Sequence, residues 1–189
     1  MYSKDKVQKY WKSPSRENMP VRYMAGIRQG RRSQYLVELF HRFVDKESSI
    51  FEIGCNVGRN LCYLYNAGYE SLGGVEISET AHGIASSVFA GTDVYLLNSP
   101  IENTEIPEVD TIFTMAVLMH IHPDSQEIFE YIASRTSRLI LIEDEKSSGP
   151  RHHGRNYRKV FGEFGFKHVF DDHRLPGLSH KYIARVLSK

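Results

Sequence analysis

The segment FEIGCNVGRNL, residues 51–61, combines glycines and a carboxylate at a spacing that could hold a ligand. Gly54 and Gly58 permit backbone conformations and close approaches that a Cβ atom would prevent, and the helix expected after them offers unpaired N–H groups. A dinucleotide-binding turn needs glycine at three positions, and Asn56 stands at the second of them. Glu52 could orient the loop or receive an ammonium group, neither of which suits a pyrophosphate. The pattern predicts a ligand-binding loop and argues against a nicotinamide dinucleotide.

A second carboxylate, Glu76, ends the next predicted strand, in the segment LGGVEI. At that place a carboxylate can accept hydrogen bonds from both hydroxyls of a ribose. A carboxylate at this position fits NAD and any other adenosine ligand equally. It therefore indicates a nucleoside but does not distinguish one adenosine cofactor from another.

Two candidate proton acceptors follow later strands: His120 in LMHIHPD and Glu143 in RLILIED. A neutral imidazole or a carboxylate within hydrogen-bond reach could take a proton from a hydroxyl or an amine. The alternatives are that His120 packs or caps the next helix and that Glu143, with Asp144, only solvates a strand end. His122, beside Pro123, is more typical of a residue that starts a helix.

No metal site is predicted. Four histidines could gather at an ion, but they lack a ligand spacing that is diagnostic of a metal: His120, His122, His152 and His153. Cys55 and Cys62 form neither a disulfide framework nor a zinc-ligand pair.

Positive charge is concentrated in two segments of a chain whose net charge is +1. Residues 1–34 hold nine Lys or Arg against two acidic residues, a net +7, and residues 146–159 add five positive charges without an acid. Either these segments are solvated surface, or they meet an anionic ligand.

Alternating apolar strands and amphipathic helices predict the fold class, an α/β protein with a three-layer α/β/α sandwich. Seven strands are expected in a mostly parallel sheet, and because no crossover helix precedes the last strand, it should run antiparallel. The predicted strands are 49–54, 72–77, 93–97, 110–117, 138–144, 166–170 and 181–187. The first predicted helix begins at Ser33.

The chain of 189 residues, 41% of them hydrophobic, is long enough for one sizeable core, so a single domain with a terminal appendage is expected. The N-terminal residues lack a signal-peptide core, and no stretch approaches the roughly 20 apolar residues of a membrane span. We therefore expect a cytoplasmic protein with no membrane partner.

From about Leu36 to its end, the chain resembles class I S-adenosylmethionine-dependent methyltransferases. FEIGCNVGRNL is similar to the first motif of that family, GGVEIS to its acidic ribose-binding motif, LLNSPIE to its adenine-edge segment and VDTIFTMAVLMHIHPDS to its fourth motif. The resemblance implies a transferase that uses S-adenosylmethionine and has a seven-stranded Rossmann-like sheet with the last strand antiparallel.

The resemblance also implies positions for the cofactor. Those expected around its methionine portion are Glu52, Gly54, Asn56 and Gly58, with Glu76 at the ribose and Ile77 against the adenine. Asn98 and Ser99 lie where the family often has an aspartate that binds the adenine amino group. Met115 falls near the sulfonium.

In this family the N-terminal extension and the insertion after the fifth strand commonly cover the substrate. Here they are the two basic segments, which we interpret as an arm or lid at residues 1–34 and an insertion at residues 146–165 of the cofactor-binding domain, residues 35–189. We predict a small, anionic methyl acceptor, such as a phosphorylated or carboxylated metabolite or a sugar derivative. The predicted acceptor-binding residues are Tyr23, Arg28, Arg155 and Tyr157.

Other functions remain open. An RNA or protein methyltransferase would use the same basic segments, but MAVL in the fourth motif is unlike the Asn-Pro-Pro-aromatic signature of many base methyltransferases, so nucleic acid is not the expected partner. A nicotinamide oxidoreductase is disfavoured by the glycine pattern, and a non-catalytic binding protein could share the fold.

Overall fold

The computed structural model describes residues 2–15, 18–23 and 27–189, and of residues 27–29 only the backbone. Six helices lie along the described chain: α1 (Lys4–Lys12), α2 (Ile27–Phe43), α3 (Arg59–Asn66), α4 (Glu79–Val88), α5 (Glu127–Ser134) and α6 (Tyr157–Gly162). The described chain also holds nine strands: β1 (Ile50–Ile53), β2 (Leu72–Glu76), β3 (Tyr95–Asn98), β4 (Val109–Met115), β5 (Thr136–Asp144), β6 (Ser148–Gly149), β7 (His152–His153), β8 (Lys167–Asp172) and β9 (Tyr182–Ser188).

Seven strands form the central sheet in the order β3-β2-β1-β4-β5-β9-β8. Strands β1 to β5 pair in parallel, and β9 runs antiparallel to both β5 and β8. The predicted sheet with a reversed last strand is thereby confirmed. Because the chain proceeds outward from β1 in one direction and from β4 in the other, the strand order reverses between these two strands. A ligand cleft is expected there, beyond their carboxyl ends.

Helices cover both faces of the sheet, as the continuous apolar strands require. Along β5, Leu139 and Leu141 pack with α5 and α6, whereas Ile140 and Ile142 pack with α2 and α3. All four side chains are essentially inaccessible to solvent. This two-sided burial fixes the sheet as a rigid platform for the loops at its edge.

Several elements of the structure differ from the sequence prediction, and three of the differences lie near the ligand cavity or its basic segments. Helix α2 begins at Ile27, six residues before the expected Ser33, because the apolar spacing marks only the buried part of the helix. Strand β4 ends at Met115, not at residue 117, because Ala116 has a φ of 61° and breaks the extended backbone. The basic segment after β5 holds a short hairpin, β6–β7, where only a loop was expected.

The described residues of the N-terminal segment include α1 and a 3-10 turn at Pro20–Tyr23 that lies beside α4. Within the described chain, none of the helices has the length and apolar character needed to cross a membrane.

Candidate active site

A cavity of about 370 Å³ opens where the sheet order reverses. The loops after β1, β2 and β4 line it, and Val7 and Trp11 of α1 contribute to the lining together with Tyr23. Arg151 and His152 of the β6–β7 hairpin complete one wall. Both basic segments therefore contribute residues to the same cavity as the glycine loop.

The glycine loop turns sharply between β1 and α3. Gly54 has a φ of 73°, and a Cβ atom built there would lie 2.5 Å from Cγ2 of Val117. Asn56 has a φ of 51°, in the left-handed region that Asn tolerates better than most residues. Gly58, with a φ of 76°, is not part of the cavity lining; a Cβ atom there would lie 2.7 Å from the Phe89 ring, so this glycine serves the packing of α3 on α4.

Glu52 is a buried carboxylate in the cavity wall. Its Oε1 accepts a hydrogen bond of 2.7 Å from Nδ2 of Asn60, whose Oδ1 accepts one of 2.8 Å from the Ser33 hydroxyl. Within the described residues, the second carboxylate oxygen has no hydrogen-bond partner. Burial raises the pKa of Glu52 to about 8. A cationic group on a ligand would satisfy this oxygen and lower the pKa again.

Glu76 ties the first two loops together. One carboxylate oxygen accepts a hydrogen bond of 2.9 Å from the Asn56 N–H, and the other accepts one of 2.7 Å from the Ser78 N–H. Burial nevertheless raises the pKa of Glu76. Its neighbours Ile77 and Ser99 also line the cavity. Asn98 does not: its Nδ2 donates to the main-chain carbonyl of Glu76 at 2.8 Å, so it holds the strand end.

Met115 lines the cavity at the end of β4, and the loop that follows it is organised by Glu143. The Glu143 carboxylate accepts hydrogen bonds from the Val117 N–H at 2.9 Å and from the Thr114 hydroxyl at 2.7 Å. Burial raises its pKa to about 7. Glu143 is outside the cavity lining, which corrects its assignment as a candidate proton acceptor: it shapes the loop.

His120 lies in the cavity wall, and its ring packs close to two other aromatic rings. Its centroid is 4.4 Å from that of Trp11 and 4.9 Å from that of His152. Nδ1 lies 2.9 Å from the Arg151 carbonyl oxygen. Because a carbonyl oxygen only accepts, Nδ1 carries the hydrogen and Nε2 is left as the acceptor of a neutral ring. Burial lowers the pKa of His120 to about 4.

Two predicted acceptor-binding residues lie elsewhere. The Arg155 guanidinium donates to the carbonyl oxygens of Ile121 and His153, each at 2.8 Å, and so holds the chain around the hairpin. Tyr157 is fully buried in the core, its ring 6.2 Å from that of Phe129. Both assignments are corrected, because the start of α6 packs inward. Of the other two, Tyr23 lines the cavity, and the side chain of Arg28 lies outside the described part of the chain.

Arg32 and Tyr182 line the cavity and were not foreseen. Arg32 donates to the Gly177 carbonyl oxygen at the entrance to β9. The position of Tyr182 could have been predicted from the sequence. A reversed strand begins at the edge of the sheet where the parallel strands end, so the first residue of β9 lies at the active-site edge. Among the described residues, no group of three or more His, Cys, Asp or Glu could hold a metal ion.

Comparison with protein families gives a match over residues 51–136, from β1 to the start of β5, to a family model described as a methyltransferase domain. The chain carries a methyltransferase domain. The match confirms the predicted class of enzyme, an S-adenosylmethionine-dependent methyltransferase. A search of curated protein sequences found no match to this methyltransferase.

Solved structures share the fold at low sequence identity. The magnesium protoporphyrin IX methyltransferase of Synechocystis PCC 6803, with bound S-adenosylhomocysteine, has 19% identity and a TM-score of 0.73, and the alignment covers 98% of each chain. The 1,6-didemethyltoxoflavin-N1-methyltransferase of Burkholderia thailandensis has 17% identity and a TM-score of 0.66 over 83% of this chain and 77% of that one. The [4+2]-cyclase SpnF has 12% identity and a TM-score of 0.69 over 83% and 80%. Because a cyclase shares the fold, the fold alone does not fix the reaction.

Proposed function

We propose that this methyltransferase transfers the methyl group of S-adenosylmethionine to an oxygen or nitrogen atom of a small anionic molecule. The division of charge in the cavity carries the proposal. Glu76 ends β2, whereas Arg151 follows β5, and these strands are three steps apart in the sheet, about 14 Å. Glu52 lies on the acidic side, where the positive charge of Arg59 acts on it, and Arg32, which donates to the Gly177 carbonyl oxygen before β9, also lines the cavity. The cationic cofactor matches one side and an anionic acceptor the other.

The acidic side fits the cofactor. The unpartnered oxygen of Glu52 suits an ammonium group, Glu76 can accept hydrogen bonds from ribose hydroxyls, and Ile77 offers an apolar surface to a base. When bound there, S-adenosylmethionine supplies an electrophilic methyl group on a sulfonium. Gly54 lets this loop pass close to Val117, and Asn56 holds the left-handed backbone conformation of the turn.

On the basic side, the residues orient the acceptor and exclude water. Arg151 and Arg32 supply positive charge for an anionic group, and Met119 and Tyr182 make that side of the cavity partly apolar. Holding two reactants at attack distance supplies much of the rate of an in-line displacement. For a hydroxyl or amine acceptor, Nε2 of His120 accepts the hydrogen bond and then the proton; for a carboxylate, no base is needed.

The position of α1 favours a small acceptor over RNA or protein. Val7, Trp11 and Tyr23 line the cavity from the N-terminal segment, so an acceptor must fit beneath it. A macromolecule would have to insert a single residue or base past this cover.

The proposal is tested with methyl-labelled S-adenosylmethionine and a cell extract separated into small molecules, RNA and protein. We expect label in small molecules that bind an anion exchanger. Label confined to RNA or protein would refute the acceptor class, and the absence of S-adenosylhomocysteine binding in calorimetry would refute the cofactor.

A matched pair of variants tests the basic side. Arg151→Gln removes a cavity cation, whereas Arg158→Gln removes the same charge from an exposed site on α6. With the labelled acceptor, R151Q should raise KM about tenfold and R158Q should not. Equal KM values in the two variants would contradict this role of Arg151.

A further inference from the structure

We propose that Trp11, on the N-terminal helix α1, is a positioning residue for His120, covering the imidazole ring so that it stays neutral with Nε2 as its proton acceptor. The inference rests on the proposed function, in which His120 faces the methyl acceptor. It assigns α1 a part in the chemistry beyond covering the cavity.

The sequence of α1 presents Trp11 inward. Ser3 caps the helix by accepting a hydrogen bond from the Lys6 N–H. Val7, only 3% exposed, lies one turn before Trp11, so the two share the face that packs on the domain. Exposed Lys9, in contrast, points to solvent. The helix is therefore a one-sided cover whose buried face ends in the indole.

The β6–β7 hairpin holds His120 from the other side. The His152 ring packs at 4.9 Å, and the Arg151 carbonyl oxygen receives the Nδ1 hydrogen at 2.9 Å. The indole also packs against the imidazole, at 4.4 Å between centroids and an interplanar angle of 48°. The hydrogen bond sets the tautomer, and the two rings limit rotation and water access.

The same hairpin anchors α1. The Tyr2 N–H donates to the Pro150 carbonyl oxygen at 3.1 Å, and Nε2 of His122 lies 3.1 Å from the Tyr2 carbonyl oxygen. The Arg151 guanidinium lies 3.6 Å from the centre of the Tyr10 ring. Helix α1, the hairpin and His120 thus form one packed unit, and displacement of α1 removes the cover from the imidazole.

The charges around the ring give this packing a measurable signature. Burial lowers the pKa of His120 to about 4; the hydrogen bond to the Arg151 carbonyl oxygen opposes this shift, and charge repulsion from His152, Arg151 and His153 adds to it. From α1 the ring meets Trp11, which does not titrate. At pH 6 the covered ring is about 99% neutral, whereas at the ordinary pKa of about 6.5 it would be about 24% neutral.

Trp11 is the single tryptophan of the chain, so its fluorescence reports on this contact without any acceptor. A protonated imidazole quenches a neighbouring indole. In the wild-type protein we expect an acid quenching transition with a midpoint near pH 4, which His120→Gln abolishes. A transition that persists unchanged in H120Q would overturn the inference.

Histidine titration by NMR separates positioning from a merely structural role. Trp11→Ala should raise the His120 midpoint by at least about one unit towards 6.5, whereas Trp11→Phe, which keeps a ring on the imidazole, and Lys9→Ala should leave it low. If W11A does not fold, the inference is tested by comparing the acid quenching transitions of the wild-type protein and H120Q. An unchanged His120 midpoint in folded W11A would overturn the inference. Neither experiment requires cofactor, so their failure is distinct from a failure to bind S-adenosylhomocysteine, which tests the proposed function.

Discussion

Replacing Gly54 by Ala tests how closely the glycine loop is fitted to the loop after β4. The backbone there has a φ of 73°, which costs an alanine about 1–2 kcal/mol. The added Cβ would also lie 2.5 Å from Cγ2 and 2.9 Å from Cγ1 of Val117, so the two loops must move apart. Such overpacking costs about 1–3 kcal/mol. The sum is a destabilisation of about 2–5 kcal/mol.

Gly91→Ala is the matched control for Gly54→Ala. Gly91 has a φ of 81°, but a Cβ atom there would meet nothing within 4 Å, so only the backbone cost of about 1–2 kcal/mol applies. Urea denaturation followed by circular dichroism gives both free energies of unfolding, and calorimetry gives the affinity for S-adenosylhomocysteine. G54A should lose affinity and G91A should not. Equal destabilisation with unchanged affinity in both variants would refute the close approach of Gly54 and Val117.

Three further predictions follow from buried polar groups. The pKa of Glu52 is about 8 in the folded protein and near 4.5 in the unfolded chain, so between these pH values the folded state binds one more proton than the unfolded state. The free energy of unfolding therefore falls as pH rises from about 4.5 to 8. In denaturation curves, Glu52→Gln should flatten this dependence, and it should also weaken cofactor binding. Arg185→Ala removes the guanidinium from two largely buried carboxylates, Glu145 and Asp171, and should cost about 3–5 kcal/mol, with R185K recovering part of the loss. Thr114→Val removes one donor to Glu143 and should lower the free energy of unfolding by about 1–2 kcal/mol at pH 8, with a smaller effect at pH 5, where that carboxyl is protonated.

The fold was predictable because its signals are local. Short runs rich in β-branched and aromatic residues, such as SIFEIG, predicted the buried strands, and the missing crossover helix before β9 predicted its reversed direction. The cavity loops were predictable for a related reason. Glu52 precedes the glycine turn, and Glu76 precedes Ser78, which caps the next helix, so local sequence fixes the backbone after both residues. Both carboxylates line the cavity.

The corrected residues lie where tertiary packing decides which way a side chain points. Arg155 and Tyr157 belong to a basic segment that does adjoin the cavity, but the hairpin before them turns their side chains inward. Glu143 lies near the end of β5 at the active-site edge, yet its carboxylate accepts a hydrogen bond from the main-chain N–H group of Val117. Sequence spacing places such residues at the correct edge of the sheet. It does not reveal whether their side chains form hydrogen bonds inside the protein or face the ligand cavity.

The position of the N-terminal segment has a consequence for turnover. Helix α1 is anchored to the β6–β7 hairpin, the 3-10 turn at Pro20–Tyr23 lies beside α4, and Val7, Trp11 and Tyr23 line the ligand cavity. If these described residues cover the bound cofactor, its release requires them to separate from the domain. We then expect variants that weaken the contacts of α1 to shorten the residence time of S-adenosylhomocysteine.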